Sequence, residues 1–246
     1  MILELDAGNT RIKWRVLEAD STVASEQGYV GTEAELADLE FAAASLSAIR
    51  MSSVRSEEAN QLVSKWAMRT FNLSLQLAKV SRSCAGVTNQ YKDVSRLGID
   101  RWLAMVAAHN RCGGPCVIVD SGTALTVDVV NSDGVHDGGY IIPGIELMAR
   151  TLETNTSIKL DSNRASPIPE LGHSTDAAVR GGSLASLLAL IEKVVSTVIK
   201  ESPESKLYLS GGDAELIQQH IVNIDAEIVA TLVLDGLAFA CPAGVT

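Results

Sequence analysis

Aromatic residues are scarce in this chain: Phe, Trp and Tyr together make up 4% of its 246 residues. A core built here must rest on Ala, Leu, Val and Ile. Hydrophobic residues at 46% and charged residues at 20% give the balance of a globular chain, not of a disordered or fibrous one. Positive charge is also short. Lys and Arg number 20 against 30 Asp and Glu, a formal net charge of −10. Affinity for nucleic acid comes largely from Lys and Arg on phosphates, so no nucleic-acid partner is expected. An anionic ligand would have to be held by local dipoles, a metal or a few placed cations.

Cysteine is limited to Cys84, Cys112, Cys116 and Cys241. Cys112 and Cys116 flank a GGP turn, but no second pair or histidine completes a zinc spacing. Reduced thiols in a cytoplasmic protein are the expectation. His109, His136, His173 and His220 are scattered, none at catalytic or metal spacing from a partner, and read as surface or structural. No apolar stretch of about 18 residues is read as a membrane span. Met1 leads directly into the first apolar run, so no signal peptide and no membrane partner are expected.

The length suits one large domain or two of about 110–130 residues. Strands are expected at 2–6, 10–17 and 22–30, where Ile12, Trp14 and Val16 alternate onto one face. Helical patterns follow at 33–47 and 56–71, with short strands near 47–54 and 73–79. The stretch SRSCAGVTNQYKDVSRLG has few apolar anchors and reads as a loop over a site. A helix at 99–111 closes this half. The second part begins alike, with strands at 116–120, 124–130 and 135–141 and an NSDG turn. A helix runs from Pro143–Gly144 to about 154, then a polar loop, SNRASPIPELGHST. A long helix spans about 175–200, and strand KLYLS precedes helices near 213–221 and 231–241. Within the long helix, Leu184, Leu187, Leu188, Ile191, Val194, Val195 and Val198 form a core or dimer face. The expected architecture is α/β, with halves at 1–111 and 112–246. Each half is a three-strand meander followed by alternating helices and strands. A cleft between such halves would be a common ligand site.

Both meanders open on the same chemistry. The run MILELD ends at Asp6 before Gly8, Asn9 and Thr10. The run CVIVD ends at Asp120 before Gly122 and Thr123. Glycine lets the backbone approach a ligand closely, and exposed N–H groups beside Thr or Asn make an anion cradle. A carboxylate beside a phosphate cradle repels it unless a cation lies between, and Mg²⁺ takes carboxylate and phosphate oxygens together. The pair therefore points to a metal-bound polyphosphate, with Arg11 and Lys13 adding positive charge. LYLSGGDAELI offers a third site. Gly211 and Gly212 leave bare backbone for a flat base or ribose, and the following helix N-terminus favours phosphate.

These motifs resemble the two phosphate motifs and the adenosine motif of the acetate/sugar kinase–Hsp70–actin superfamily. LGIDRW, DSGTALT, GGYIIPG and STDAAVRGG narrow the resemblance to type III pantothenate kinases, in the family's order over nearly the whole chain. Ser174 stands where the family often has Asn, and Ser121 where bulkier residues also occur. The resemblance implies two ribonuclease H-like, actin-like halves. It also implies ATP-dependent phosphorylation of pantothenate on its primary hydroxyl, in the cytoplasm, as the first step of coenzyme A biosynthesis. A homodimer with its pantothenate pocket at or near the interface is implied too, together with Mg²⁺ and a monovalent cation, K⁺ or NH₄⁺.

Residue by residue, ATP would meet Asp6, Ala7, Gly8, Asn9, Thr10, Arg11, Ile12, Lys13, Thr123, Gly211 and Gly212. Pantothenate would meet Tyr91, Gly98, Ile99, Asp100, Arg101 and Thr175. Asp6 would meet Mg²⁺ directly or through water, and Asp120 resembles the monovalent-cation ligand. Asp100 is the candidate general base, because a helix N-terminus favours an ionised carboxylate; it also reads as an N-cap. Arg101 can pair with the carboxylate of pantothenate or with a nearby acidic side chain. Thr175 also reads as a helix cap. Two alternatives remain at this level: another small-molecule kinase or ATP hydrolase of the superfamily, and a non-enzymatic regulator on the same scaffold.

Overall fold

The structure, a computed structural model, describes residues 1–18, 24–39, 46–161 and 166–242. The chain divides into two compact units. One comprises 1–107 with 231–246, the other 108–230. The division therefore falls a few residues before the sequence-based boundary at 111/112. Residues 231–246, expected in the second half, belong with the first.

The first unit holds β1 (Ile2–Ala7), β2 (Ile12–Leu17), β3 (Ala24–Val30), β4 (Ala48–Ser53) and β5 (Leu75–Leu77), ordered β3-β2-β1-β4-β5. β1 is antiparallel to β2 and parallel to β4. Alternation sends Leu3, Leu5, Ala7, Ile49 and Met51 to one face, where they join Val63 and Ala67 of α1 (Glu57–Phe71) in a core. α1 has clear ends. Ser56 caps it by accepting from Ala59 N, Glu57 and Glu58 lie in its first turn, and Asn72 closes it with φ 56°. The opposite face of β1 carries Glu4, fully buried between Arg15 and Arg50 at 2.7 and 3.1 Å. Arg15 also reaches Asp235, at 2.6 Å, on α6 (Leu232–Ala240), which lies against β1 and β4.

The second unit repeats the plan. β8 (Cys116–Ser121), β9 (Ala124–Val130), β10 (His136–Pro143), β11 (Lys206–Gly211) and β12 (Ala226–Ile228) run in the order β10-β9-β8-β11-β12. Val117, Val119, Leu125, Val127, Leu207 and Leu209 face a core shared with α4 (Thr175–Glu201) and α5 (Ala214–His220). α3 (Ile145–Asn155) packs on α4. In the chain order between the two sheets, β6 (Ser83–Cys84) and β7 (Val87–Thr88) form a small hairpin before α2 (Ile99–Cys112).

Several expectations are corrected. Where the helix expected at 33–47 begins there is a 3₁₀ turn, Ala34–Asp38, ended by Leu39 in an extended conformation; 40–45 of that expectation lie outside the described residues. Of the strand expected at 22–30, 22 and 23 also lie outside them, as do 162–165 of the polar loop. The loop over 80–97 contains the β6–β7 hairpin and a 3₁₀ turn at Val94–Arg96. β12 was not anticipated; its three residues carry too short an apolar pattern. By length and composition alone α4 would pass as a membrane span, with a window of mean hydropathy 1.6. Its buried Leu184, Leu187, Leu188, Ile191 and Val195 fill the core of the second unit, which accounts for that apolar character. All four cysteines are free thiols. His136 is fully buried, its Nε2 2.8 Å from Asp128, and His109 Nδ1 lies 2.9 Å from the Gly114 carbonyl.

Candidate active site

The first turn is pinned from inside and from the side. Gly8 N donates to the carbonyls of Asp6 and Arg11 at 3.2 and 3.1 Å, closing the loop on itself. Arg55, just past β4, donates to the Gly8 carbonyl at 2.8 Å, the Gly31 carbonyl at 3.2 Å and Glu33 at 2.8 Å. Burial raises the Glu33 carboxyl, but the Arg55 hydrogen bond and its charge hold it below the usual value. Sequence reasoning missed Arg55, because nothing local in VRSEE says that its guanidinium returns to the first turn. Asp6 and Lys13 are register partners on β1 and β2, and Lys13 is in turn the partner of Tyr29 on β3. The Arg11 guanidinium lies over the Tyr29 ring at 5.3 Å, so Arg11 and Lys13 do share one side of the sheet. Asn9 and Thr10 are exposed, whereas Ala7 and Ile12 are buried in the core and offer only backbone.

In the second unit, Gly122 N donates to the Ala124 carbonyl at 3.0 Å, and Gly144 N to the Thr123 carbonyl at 2.9 Å. Thr123 is exposed at the tip. Gly211 is held at φ 91°, and a Cβ there would run into the backbone of Ser121. The glycine is thus required twice over, by conformation and by close approach. Gly212 beside it faces open space. Asp213 N donates to the Ser121 carbonyl at 3.2 Å, and Ser121 Oγ donates to the Asp213 carboxylate at 3.1 Å. These bonds tie the second aspartate turn to the Gly-Gly turn within one unit.

Asp100 stands in the first turn of α2. Its Oδ1 accepts from Arg101 N at 2.8 Å. A Cβ on Gly98 would come within 2.6 Å of that oxygen, so glycine at 98 leaves room for the carboxylate. Arg101 is buried, and its Nη1 donates to Tyr91 Oη at 3.0 Å. Tyr91 is held in turn: its N–H donates to Asn89 Oδ1 at 2.9 Å, and Arg82 donates to the carbonyls of Asn89 and Tyr91 at 2.6 and 3.0 Å. The loop over 80–97 is therefore braced by Arg82 and Asn89, neither singled out from sequence. The structure brings Tyr91, Gly98, Asp100 and Arg101 together in the first unit. Ile99 is buried. Thr175 is exposed at the start of α4, and Ser174, not Thr175, is the cap, accepting from Ala177 N at 3.2 Å. Nearby, Arg180 joins Asp176 and Glu146 at 3.1 and 2.9 Å.

Among the described residues no group of three or more His, Cys, Asp or Glu could hold a metal ion. A cation here would need one carboxylate plus backbone, water and nucleotide oxygens, which is how Mg²⁺ commonly binds. Each candidate aspartate fits that role and has a buried serine next to it. Ser52 is the register partner of Asp6, and Ser210 that of Asp120. The hydroxyls of both serines have no hydrogen-bond partner. An open cavity of about 480 Å³ in the second unit, lined by Arg111, Cys112, Tyr208 and Glu227 among others, contains none of the candidate residues.

Solved structures of low sequence identity share this fold. A protein assigned to the Baf family of transcriptional activators, from Campylobacter jejuni, superposes with a TM-score of 0.62 at 18% identity, over 95% of this chain and 94% of that one. A protein named as a 2-dehydro-3-deoxygalactonokinase, from Sinorhizobium meliloti, does so with a TM-score of 0.54 at 12% identity, over 97% of each chain. Two repeated α/β units with this strand order make an actin-like, sugar-kinase fold. The family profile of type III pantothenate kinase matches residues 2–197. Type III pantothenate kinases of Pseudomonas aeruginosa (strain LESB58) and Pseudomonas fluorescens (strain Pf0-1) are 41% and 38% identical to this chain. Each match covers 98% of this chain and 99% of the relative. The chain belongs to the type III pantothenate kinase family.

Proposed function

We propose that the protein transfers the γ-phosphoryl group of ATP to the primary hydroxyl of pantothenate, in the cytoplasm, as the first step of coenzyme A synthesis. The observation that carries this reading is the Asp100 carboxylate, cleared by Gly98 and set beside the buried Arg101–Tyr91 pair, in a chain of this family. Asp100 accepts the hydrogen bond of the attacking hydroxyl and then its proton. Because the transition state of phosphoryl transfer is largely loose, orienting that hydroxyl is the greater part of its work. Arg101 recognises the carboxylate of pantothenate, with Tyr91 fixing the guanidinium. The backbone of 6–13, with Arg11 and Lys13, receives ATP phosphate. Thr123 and the bare backbone of Gly211 and Gly212 serve the nucleotide in the second unit.

Asp6 would hold Mg²⁺ directly or through water, and Asp120 would hold K⁺ or NH₄⁺. When bound, these cations neutralise phosphate charge. The working form is a homodimer whose pantothenate pocket lies at or near the subunit interface, with Thr175 contributing its exposed hydroxyl. The test is ATP-dependent phosphorylation of pantothenate by the wild type and Asp100→Asn, with Mg²⁺ and with K⁺, NH₄⁺ or Na⁺. Expected are wild-type turnover that requires Mg²⁺, and a loss of about 10²–10⁴-fold in Asp100→Asn with an unchanged melting temperature. Absence of wild-type turnover with every ion overturns the assignment. Turnover retained by Asp100→Asn removes Asp100 as the base.

A further inference from the structure

The repeat between the two units extends beyond the aspartate turns. In each unit the central strand carries an aspartate as its penultimate residue, and the parallel neighbour places a serine opposite it: Asp6 with Ser52, Asp120 with Ser210. Strands lie about 4.8 Å apart and register partners share a face, so each serine side chain leaves the sheet on the same face as its aspartate, one strand away. Ser52 is fully buried and Ser210 is 2% exposed. Among the described residues these are the two buried hydroxyls that lack a hydrogen-bond partner. Buried polar groups are nearly always partnered, so such a hydroxyl calls for an explanation. An alanine would fill either place without that cost. Two orphans at corresponding positions, each next to the residue suited to a cation, have one economical account: the partner arrives with the ligand.

We infer that Ser52 and Ser210 are positioning residues for two separate cation sites. Ser52 orients Asp6, or a water on the divalent cation, and Ser210 does the same for Asp120 and the monovalent cation. The inference rests on the roles given above to Asp6 and Asp120. A hydroxyl suits the task, since it both donates to a carboxylate and accepts from a metal-bound water. Outer groups of this kind fix the first ligands of a metal and tune its affinity.

The test is a crossed titration of the full-length protein. Ser52→Ala and Ser210→Ala are compared with the wild type in two readouts: the cation concentration giving half-maximal turnover, and the rise in melting temperature that each cation produces with a non-hydrolysable ATP analogue. Ser52→Ala is expected to raise the half-saturating Mg²⁺ concentration about 10-fold and to leave the K⁺ dependence unchanged. Ser210→Ala is expected to do the reverse. Without cations neither variant should melt below the wild type, because the hydroxyl removed had no partner to lose. Unshifted titrations in both variants overturn the inference. So does a variant that shifts both cations equally, or one that melts lower with its cation dependence intact, as a purely structural serine would. If an alanine variant does not fold, Ser→Cys at the same position keeps the volume and replaces the hydroxyl by a weaker hydrogen-bonding group. The analogue titration stands apart from the function assignment. A crossed shift in melting temperature without pantothenate turnover keeps the cation sites and removes the substrate.

Discussion

Burial holds the carboxyl of Asp213 above the usual carboxylate value and Glu146 adds to the rise, while the Ser121 hydroxyl opposes it. The unfolded chain therefore gives up this proton at lower pH than the folded one. The folded state is favoured by this group below the unfolded value, near about 3.9. The advantage is lost as pH rises through the raised folded value, leaving a half-buried carboxylate that destabilises the fold at pH 7. Asp213→Asn keeps an acceptor for Ser121 and removes the charge. It is expected to melt above the wild type at pH 7, with the gap closing as pH falls toward 4. Thermal melts across that range check it, and a gap that does not narrow refutes it. Single residues were legible in the sequence where chemistry ties a residue type to its neighbours, as in D-x-G and G-x-D-R. Arg55, Ser52, Asn89 and Arg82 were not. Their placement comes from strands and loops brought together from distant parts of the chain, which no local spacing records.

Elements with a full local signature were readable as elements. α1 has its serine cap, acidic first turn and left-handed Asn72, and β1 and β8 are apolar runs ending on carboxylates. The start of the segment at 33–47 misled because helix-forming residues are not enough: over the described residues 33–39 the chain makes a 3₁₀ stretch and Leu39 turns to an extended conformation. α4 has the length and hydropathy of a membrane span because a helix with a wide buried face shares that composition, and its apolar residues lie in the core of the second unit. The connection from β11 to α5 depends on Gly211. Its Cβ-free, positive-φ backbone lets the Gly-Gly turn lie on Ser121. Gly211→Ala is expected to cost roughly 1–3 kcal/mol for the conformation alone, with more from the collision. Urea unfolding of the two proteins measures this. A difference within error would mean that the turn can shift without penalty.

At the scale of the whole chain, the two-unit α/β plan was legible from the repeated meander, but its bookends were not. Nothing in LVLDGLAFA indicates that this helix returns to the first sheet. The reason lies in Asp235 meeting Arg15, and in Leu232, Leu234 and Leu237, all buried. A chain ended after Ala230 leaves Arg15 with Glu4 as its remaining ion-pair partner and also loses that apolar cover. Such a chain is expected to keep a cooperative melting transition for the second unit and to lose that of the first. Calorimetry of the full and shortened chains distinguishes this from a uniform loss, which would make the two units one cooperative block.

A unit assembled from two separated stretches has a consequence for biosynthesis. On the ribosome, residues 108–230 have all been polymerised before Thr231 is added, so the second unit has every strand and helix it needs while the first still waits for α6. The nascent first sheet meanwhile carries Glu4 and its arginines without their lid. The portion translated first thus cannot complete its own set of contacts until Leu232–Ala240, close to the last residues of the sequence, has been added.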